Sequence, residues 1–213
     1  MRGKRWPALA LLTLPPLPAM TDPLTDAETR FGALQSYQVT LRSTHGAGGQ
    51  EVIRYFFRKP GWVRMEFDQP HRGAVLVYAP DNRRVRLWPF GLGHWPALDL
   101  APDHPLLHNP HGHRVDRSDV GVLLGNMLAL RQRGSMSPPD AAEWAGRPAT
   151  ALDITGPADG SAGAVQRYRV WLARDTLFPL RVDSFAANAG LLESVDMGDA
   201  QIDVQFPERF FTP

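Results

Sequence analysis

Cysteine is missing from all 213 residues. That excludes a disulfide framework, a thiolate zinc site and a cysteine nucleophile. Lysine is nearly missing too: Lys4 and Lys59 are the only two, so arginine carries almost all the basic charge. An excess of one charge sign is also lacking. The 23 Lys and Arg against 22 Asp and Glu leave a net charge of +1, which provides no large cationic field for nucleic acid. No run reaches the ~20 apolar residues of a membrane-spanning helix. The apolar stretch Trp6–Ala19 has 14 residues and is broken by Pro15, Pro16 and Pro18. What is present in quantity is hydrophobic residue, 43% against 21% charged, the balance of a globular domain. Gly 19 and Pro 20 suit a turn-rich β protein better than a helical bundle.

The first residues have the order of an export signal. Arg2, Lys4 and Arg5 precede the apolar stretch, which ends in small residues near Ala19. Residues 1–19 are therefore expected to be removed, leaving 20 basic against 22 acidic residues and a mature charge of −2. No cysteine follows the apolar stretch, so the mature chain is not expected to be lipid-anchored. The expected location is the periplasm of a Gram-negative type envelope. The remainder, 20–213, shows no linker and no fixed repeat and reads as one domain.

Asp22 before Pro23 forms a helix-start signal, and Leu24, Ala27, Phe31 and Leu34 follow at helical spacing. From Tyr37 the period becomes two. Strands are expected over 38–45, 50–58, 62–68, 73–79 and 83–90, joined by connections too short for parallel crossovers, and so antiparallel. Val63, Met65 and Phe67 share one face of the third; the fourth, Gly73–Ala79, is nearly all apolar and reads as buried on both faces. Gly91–Arg117 shows no clear period. Ser118 then opens a helix whose stripe is Val120, Leu123, Leu124, Met127 and Leu128. Gly121 and Gly125 weaken it, by ~1 kcal/mol each relative to Ala. Strand patterns resume over 148–155, 165–173, 177–187, 191–197 and 200–206, giving ten or eleven strands in all.

The run Tyr55–Pro89 (YFFRKPGWVRMEFDQPHRGAVLVYAPDNRRVRLWP) resembles the LolA-like proteins, the periplasmic lipoprotein carriers and their outer membrane lipoprotein-sorting relatives. Val170–Ser184 (VWLARDTLFPLRVDS) resembles a later hairpin of that group, and Asp203–Pro213 (DVQFPERFFTP) its closing strand. The ordered set carries the resemblance, over most of 24–213; His104–Leu130 departs from the carriers proper. The resemblance implies a mainly β (α+β) fold: a strongly curved antiparallel sheet forming an incomplete barrel of about eleven strands, covered by short helices. It implies a hollow that shields the acyl chains of a lipid or lipoprotein, with no enzymatic chemistry and no cofactor. An inner-membrane donor and an outer-membrane acceptor would be the partners. In the carriers an Arg precedes the Pro of the basic turn; the matching position here is Lys59, with Arg58 before it, a contact for head groups or a partner.

The residues support a hollow on their own account. An apolar sheet face must be buried, and two short helices are too little to fill a ten-strand wall. Tyr55, Phe57, Val63, Met65, Phe67, Val75, Val77, Leu87 and Tyr168 are the expected lining, and Val120, Leu123, Leu124 and Met127 the expected lid. The alternative is that the same residues form an ordinary packed core. Two further readings stand beside the carrier. One is a non-transporting envelope interaction or sensor module on the same scaffold. The other is metal binding through the His94–His113 loop, with His111 and His113 as the candidate pair. Hydrolase and phosphate signatures fail: there is no G-x-S-x-G, and Gly46-Ala47-Gly48-Gly49 leads into no helix.

Overall fold

The computed structural model describes residues 22–46, 48–107 and 114–212. The expected export signal, the expected cleavage near Ala19, and His108, His111 and His113 lie outside these residues. Helix α1 spans Pro23–Ala33. Asp22 caps it as its spacing predicts, accepting from the Leu24 amide at 3.2 Å, and Pro23 occupies the first turn, where no amide partner is needed. Five long strands follow: β1 (Ser36–His45), β2 (Gln50–Arg58), β3 (Trp62–Gln69), β4 (Val75–Ala79) and β5 (Arg84–Trp88). The short β6 (Leu98–Leu100) precedes helix α2 (Val120–Arg133). Then come β7 (Ser135–Met136), β8 (Asp140–Trp144), β9 (Arg147–Thr155), β10 (Arg167–Ala173), β11 (Pro179–Phe185), β12 (Leu191–Asp196) and β13 (Gln201–Ile202).

The thirteen strands among the described residues belong to one antiparallel sheet, ordered β6-β5-β4-β3-β2-β1-β12-β11-β10-β9-β7, with β8 on β9 and β13 on β1. The end strands β6 and β7 do not pair with each other, so the sheet is an open half-barrel. Register shifts at Val52/Ile53, Trp171/Leu172 and Ser184/Phe185 are the irregularities that add twist to such a sheet. The strands beyond the expected eleven are short pieces of two or three residues, below the length at which a period of two shows.

Several boundaries differ from expectation, two of them with a visible cause. Asp119, not Ser118, caps α2, accepting from the Val122 amide at 3.1 Å. Ser118 is held back because its hydroxyl donates to the Val115 carbonyl at 2.8 Å. The expected last strand, 200–206, pairs only at Gln201 and Ile202. The chain after it leaves β1, in the middle of the sheet, and lays Phe206, Phe210 and Phe211 over the outer face, on Phe56, Trp62, Val75, Val77 and Trp88.

The inner face and the two helices enclose the main core. Strand alternation decides which residues reach it. Val63 and Met65 of β3 point in, whereas Trp62 packs outside. In β4 all of Val75, Leu76 and Val77 are buried, as the unbroken apolar run implied, but Leu76 alone points inward.

Candidate binding site beneath the helical cover

The inner wall is aromatic near the start of β1. Tyr37 stacks on Phe57 at 5.1 Å and on Tyr55 at 5.7 Å between ring centres, and meets Phe178 edge-on at 5.1 Å. Phe31 of α1 reaches this group, 5.8 Å from Phe57. The tyrosine hydroxyls are buried among these rings and find their partners on the cover. Tyr37 Oη accepts from the Val120 amide at 3.2 Å, and Tyr55 Oη shares a 3.1 Å hydrogen bond with Ser118 Oγ. Burial pushes both phenols well above their ordinary pKa, so they stay neutral and act as fixed polar anchors in an apolar wall. Tyr168 is also raised, by burial first and by the Glu193 charge second.

Few polar ties hold the cover down among the described residues. Besides the two tyrosines, Lys59 donates to the Gly32 carbonyl near the end of α1; Arg131 of α2 pairs with Asp22 at the start of α1 and ties the two helices to each other. Arg30 donates to the Asp175 carbonyl at 3.1 Å, and Arg133 to Ser161 Oγ at 2.9 Å, both at exposed positions. Burial alone would raise the Asp22 carboxyl, but hydrogen bonds from Thr25 and Arg131, and the Arg131 charge, hold it below its ordinary value. Lys59 caps the carbonyl end of α1, where the helix dipole favours a cation. Arg58 points to the other face, 4.8 Å over the Phe211 ring. The structure separates the two residues that the sequence placed together as a contact.

The hollow is occupied. Leu24, Ala27, Leu124, Met127 and Leu130 from the helices pack against the wall, and Met127 and Leu24 have no exposed surface. Two helices suffice because Val115, Phe178 and Met197 from the connections join them in filling the interior. Of the expected lining, Tyr55, Phe57, Val63 and Met65 lie buried in this core, and Phe67, Leu87 and Tyr168 pack at its margin. Val75 and Val77 are not brought to it; they lie under the C-terminal segment outside, because in a strand buried on both faces apolarity gives no sign of which alternate points in. Of the expected lid, Val120, Leu124 and Met127 are buried in the core, with Leu123 packed against it.

Open space remains along α1. One cleft of about 420 Å³ runs between Phe31, Phe57, Val63, Tyr78 and the Lys59–Gly61 turn, with Asp116 and Asp119 at its edge. A second, of about 380 Å³, lies between Phe31, Leu34, Leu124, Leu177, Phe178 and Ile202. Both are in the size range of small-ligand clefts, ~300–1,000 Å³, and both are lined by Phe31. Sequence reading missed Phe31, Tyr37 and Phe178 as site residues. Tyr37 was accessible through its alternation with Val39 on β1; Phe178 fell inside the expected strand 177–187, but the observed strand begins only at Pro179. Among the described residues no group of three His, Asp or Glu side chains is placed to hold a metal. His94 stands exposed, and His104 Nδ1 accepts from the Leu106 amide at 3.2 Å, so neither points to a shared site.

An open antiparallel half-barrel under two helices is an architecture with solved counterparts. An uncharacterized conserved protein from Thermus thermophilus matches over 89% of this chain and 91% of its own, at a TM-score of 0.55 and 10% identity. MucB of Pseudomonas aeruginosa, solved in complex with MucA, matches over 88% of this chain at a TM-score of 0.54 and 19% identity. This chain spans 61% of that MucB chain. A LolA superfamily protein from Nitrosomonas europaea also matches, over 90% of this chain and 96% of its own, at a TM-score of 0.37 and 13% identity. The two matches above a TM-score of 0.5 establish likeness of fold alone, and the expected open half-barrel is met at that level. No family model and no curated protein matches the sequence. No helix among the described residues is long and apolar enough to cross a membrane.

Proposed function

We propose that this is a non-enzymatic binding protein of the bacterial envelope that takes an acyl chain, of a lipid or a lipoprotein, under the α1–α2 cover. The observation that supports it most is the pair of clefts flanking α1 and meeting at Phe31. They lie where the main core is closed by a helix rather than by the sheet. The packed interior is then the closed, unloaded state: α2 carries Gly121 and Gly125, and lifting the cover breaks few polar ties. Each methylene that replaces a displaced side chain recovers ~0.8 kcal/mol. The export signal expected from residues 1–19 supports an envelope location, and the resemblance of Tyr55–Pro89 to the lipoprotein carriers supports carriage.

The test is mass spectrometry of protein purified from its own envelope fraction, paired with titration of a fluorescent fatty acid. Co-purified lipid and saturable probe binding are expected. A lipid-free protein that ignores the probe, with no amide-exchange change in α1 or α2, overturns the reading.

A second reading is a module that binds a protein partner and carries nothing. The filled interior favours it, as does the fold shared with MucB, whose solved complex contains MucA. It predicts probe-independent capture of an envelope protein and an interior that stays shut.

A further inference from the structure

Both clefts open at the end that carries the β2–β3, β4–β5 and β10–β11 turns, where Arg30 and Lys59 line them together with Asp116, Asp119 and Asp203. The opposite end carries the β3–β4 connection (70–74, PHRGA), preceded by the exposed Asp68 of β3, and the β5–β6 connection (89–97, PFGLGHWPA). These two segments contain no acid; they contain Arg72, His71 and His94, all exposed. They touch, since a Cβ on Gly91 would lie 3.4 Å from the Gly73 carbonyl oxygen.

The β5–β6 connection also turns its large apolar side chains outward. Trp95 is 89% exposed, Phe90 69% and Leu92 40%. Half of the six exposed large hydrophobic residues among the described residues thus fall in one nine-residue segment. Gly91 and Gly93 have φ of +104° and +80°, a region that favours glycine, so the outward display is built into the loop backbone. Apolar residues scattered singly over a surface need no explanation, but three within six residues of one loop do. Exposed Trp and Phe rings settle readily at the boundary between head groups and acyl chains. Exposed Arg72 beside them complements anionic head groups, and Arg86, exposed on β5 and 5.4 Å over the Trp88 ring, adds a second cation on the strand leading to the loop.

We propose that the β5–β6 loop docks the protein reversibly on an anionic lipid bilayer, through Phe90, Leu92 and Trp95 with Arg72 beside them. Docking at this end leaves the clefts facing away from the bilayer, free for a guest or partner arriving from the aqueous side. The inference goes beyond the binding function and stands without it.

The experiment is co-sedimentation of the protein with phosphatidylglycerol/phosphatidylethanolamine vesicles and with phosphatidylcholine vesicles. The wild type is expected to sediment with the anionic vesicles and far less with the neutral ones. Phe90→Ser/Trp95→Ser should lower partitioning by about tenfold or more with an unchanged melting curve, because both side chains are exposed. Arg72→Glu should weaken anionic-vesicle binding alone. Brominated lipid should quench wild-type tryptophan fluorescence, with the quenching lost in Trp95→Phe. A wild type that stays in the supernatant overturns the proposal, as does a double variant that binds like the wild type. A photo-crosslinker at position 95 that captures an envelope protein without vesicle binding overturns it in favour of a protein surface. Fatty-acid titration without vesicles reads the clefts separately: the double variant keeps the wild-type response, so failure of docking and failure of acyl binding are told apart.

Discussion

Met127 shows how fully the interior is used. It lies on the middle of α2, has no exposed surface and contacts the wall that the sequence marked as a lining. Met127→Ala is expected to cost about 2–5 kcal/mol in urea unfolding, the range for deleting a large side chain from a packed core. A cost below about 1 kcal/mol would mean a loose interior. Asp22 works at the other end of the cover. It caps α1 and pairs with Arg131, and its carboxyl titrates lower when folded than when unfolded. A depressed carboxyl stabilises the fold above the unfolded pKa, and the contribution fades as pH falls through the folded one. Asp22→Ala should therefore cost about 1 kcal/mol at pH 7, and the gap from wild type should narrow in unfolding titrations taken progressively below about pH 4. A gap independent of pH would assign the loss to packing instead.

Helix α2 is where residues combine into a device. Its two glycines are not equivalent. A Cβ on Gly125 meets nothing within 4 Å, whereas one on Gly121 would collide with the Phe31 ring at Cε1. Gly125→Ala should stabilise the helix by about 0.5–1 kcal/mol and slow entry of a fatty-acid probe. Gly121→Ala should push Phe31 aside, disturb both clefts and change probe affinity with little gain in stability. Stopped-flow uptake with the two variants separates these effects; equal behaviour would remove α2 and Phe31 from the gate. The wall had a legible period on β3, where polar and apolar residues alternate and the inward set was readable. On β4 three consecutive apolar residues hid the choice between Leu76 and its neighbours, and only the sheet's two faces resolved it.

Among the described residues the sheet is covered on both faces, by the two helices inside and, over β2–β5, by the C-terminal segment outside. Outside, the C-terminal segment seals β2–β5: Arg64 donates to the Phe210 carbonyl at 2.8 Å and lies 4.4 Å over its ring, and Phe211 is buried among Trp62, Val75, Val77 and Trp88. This segment is structural. Phe211→Ala is expected to cost about 3–5 kcal/mol in thermal or urea unfolding and to expose an apolar outer wall to dye binding, while leaving fatty-acid titration at the inner clefts unchanged. Loss of probe affinity with stability intact would place the outer face in the binding function.

The order of residues was enough to settle the fold class of this protein: a capped helix, period-two strands joined by short turns, and a second helix weakened by glycine. Those are local properties, written in spacing and turn residues within a few positions of each other. Long-range packing settled what locality does not contain. It sent the closing chain across the outer face instead of letting it complete the sheet, and it set Arg58 and Lys59 to serve opposite faces. It also filled the hollow down to two clefts beside α1, because filling is a sum of volumes brought together from distant parts of the chain.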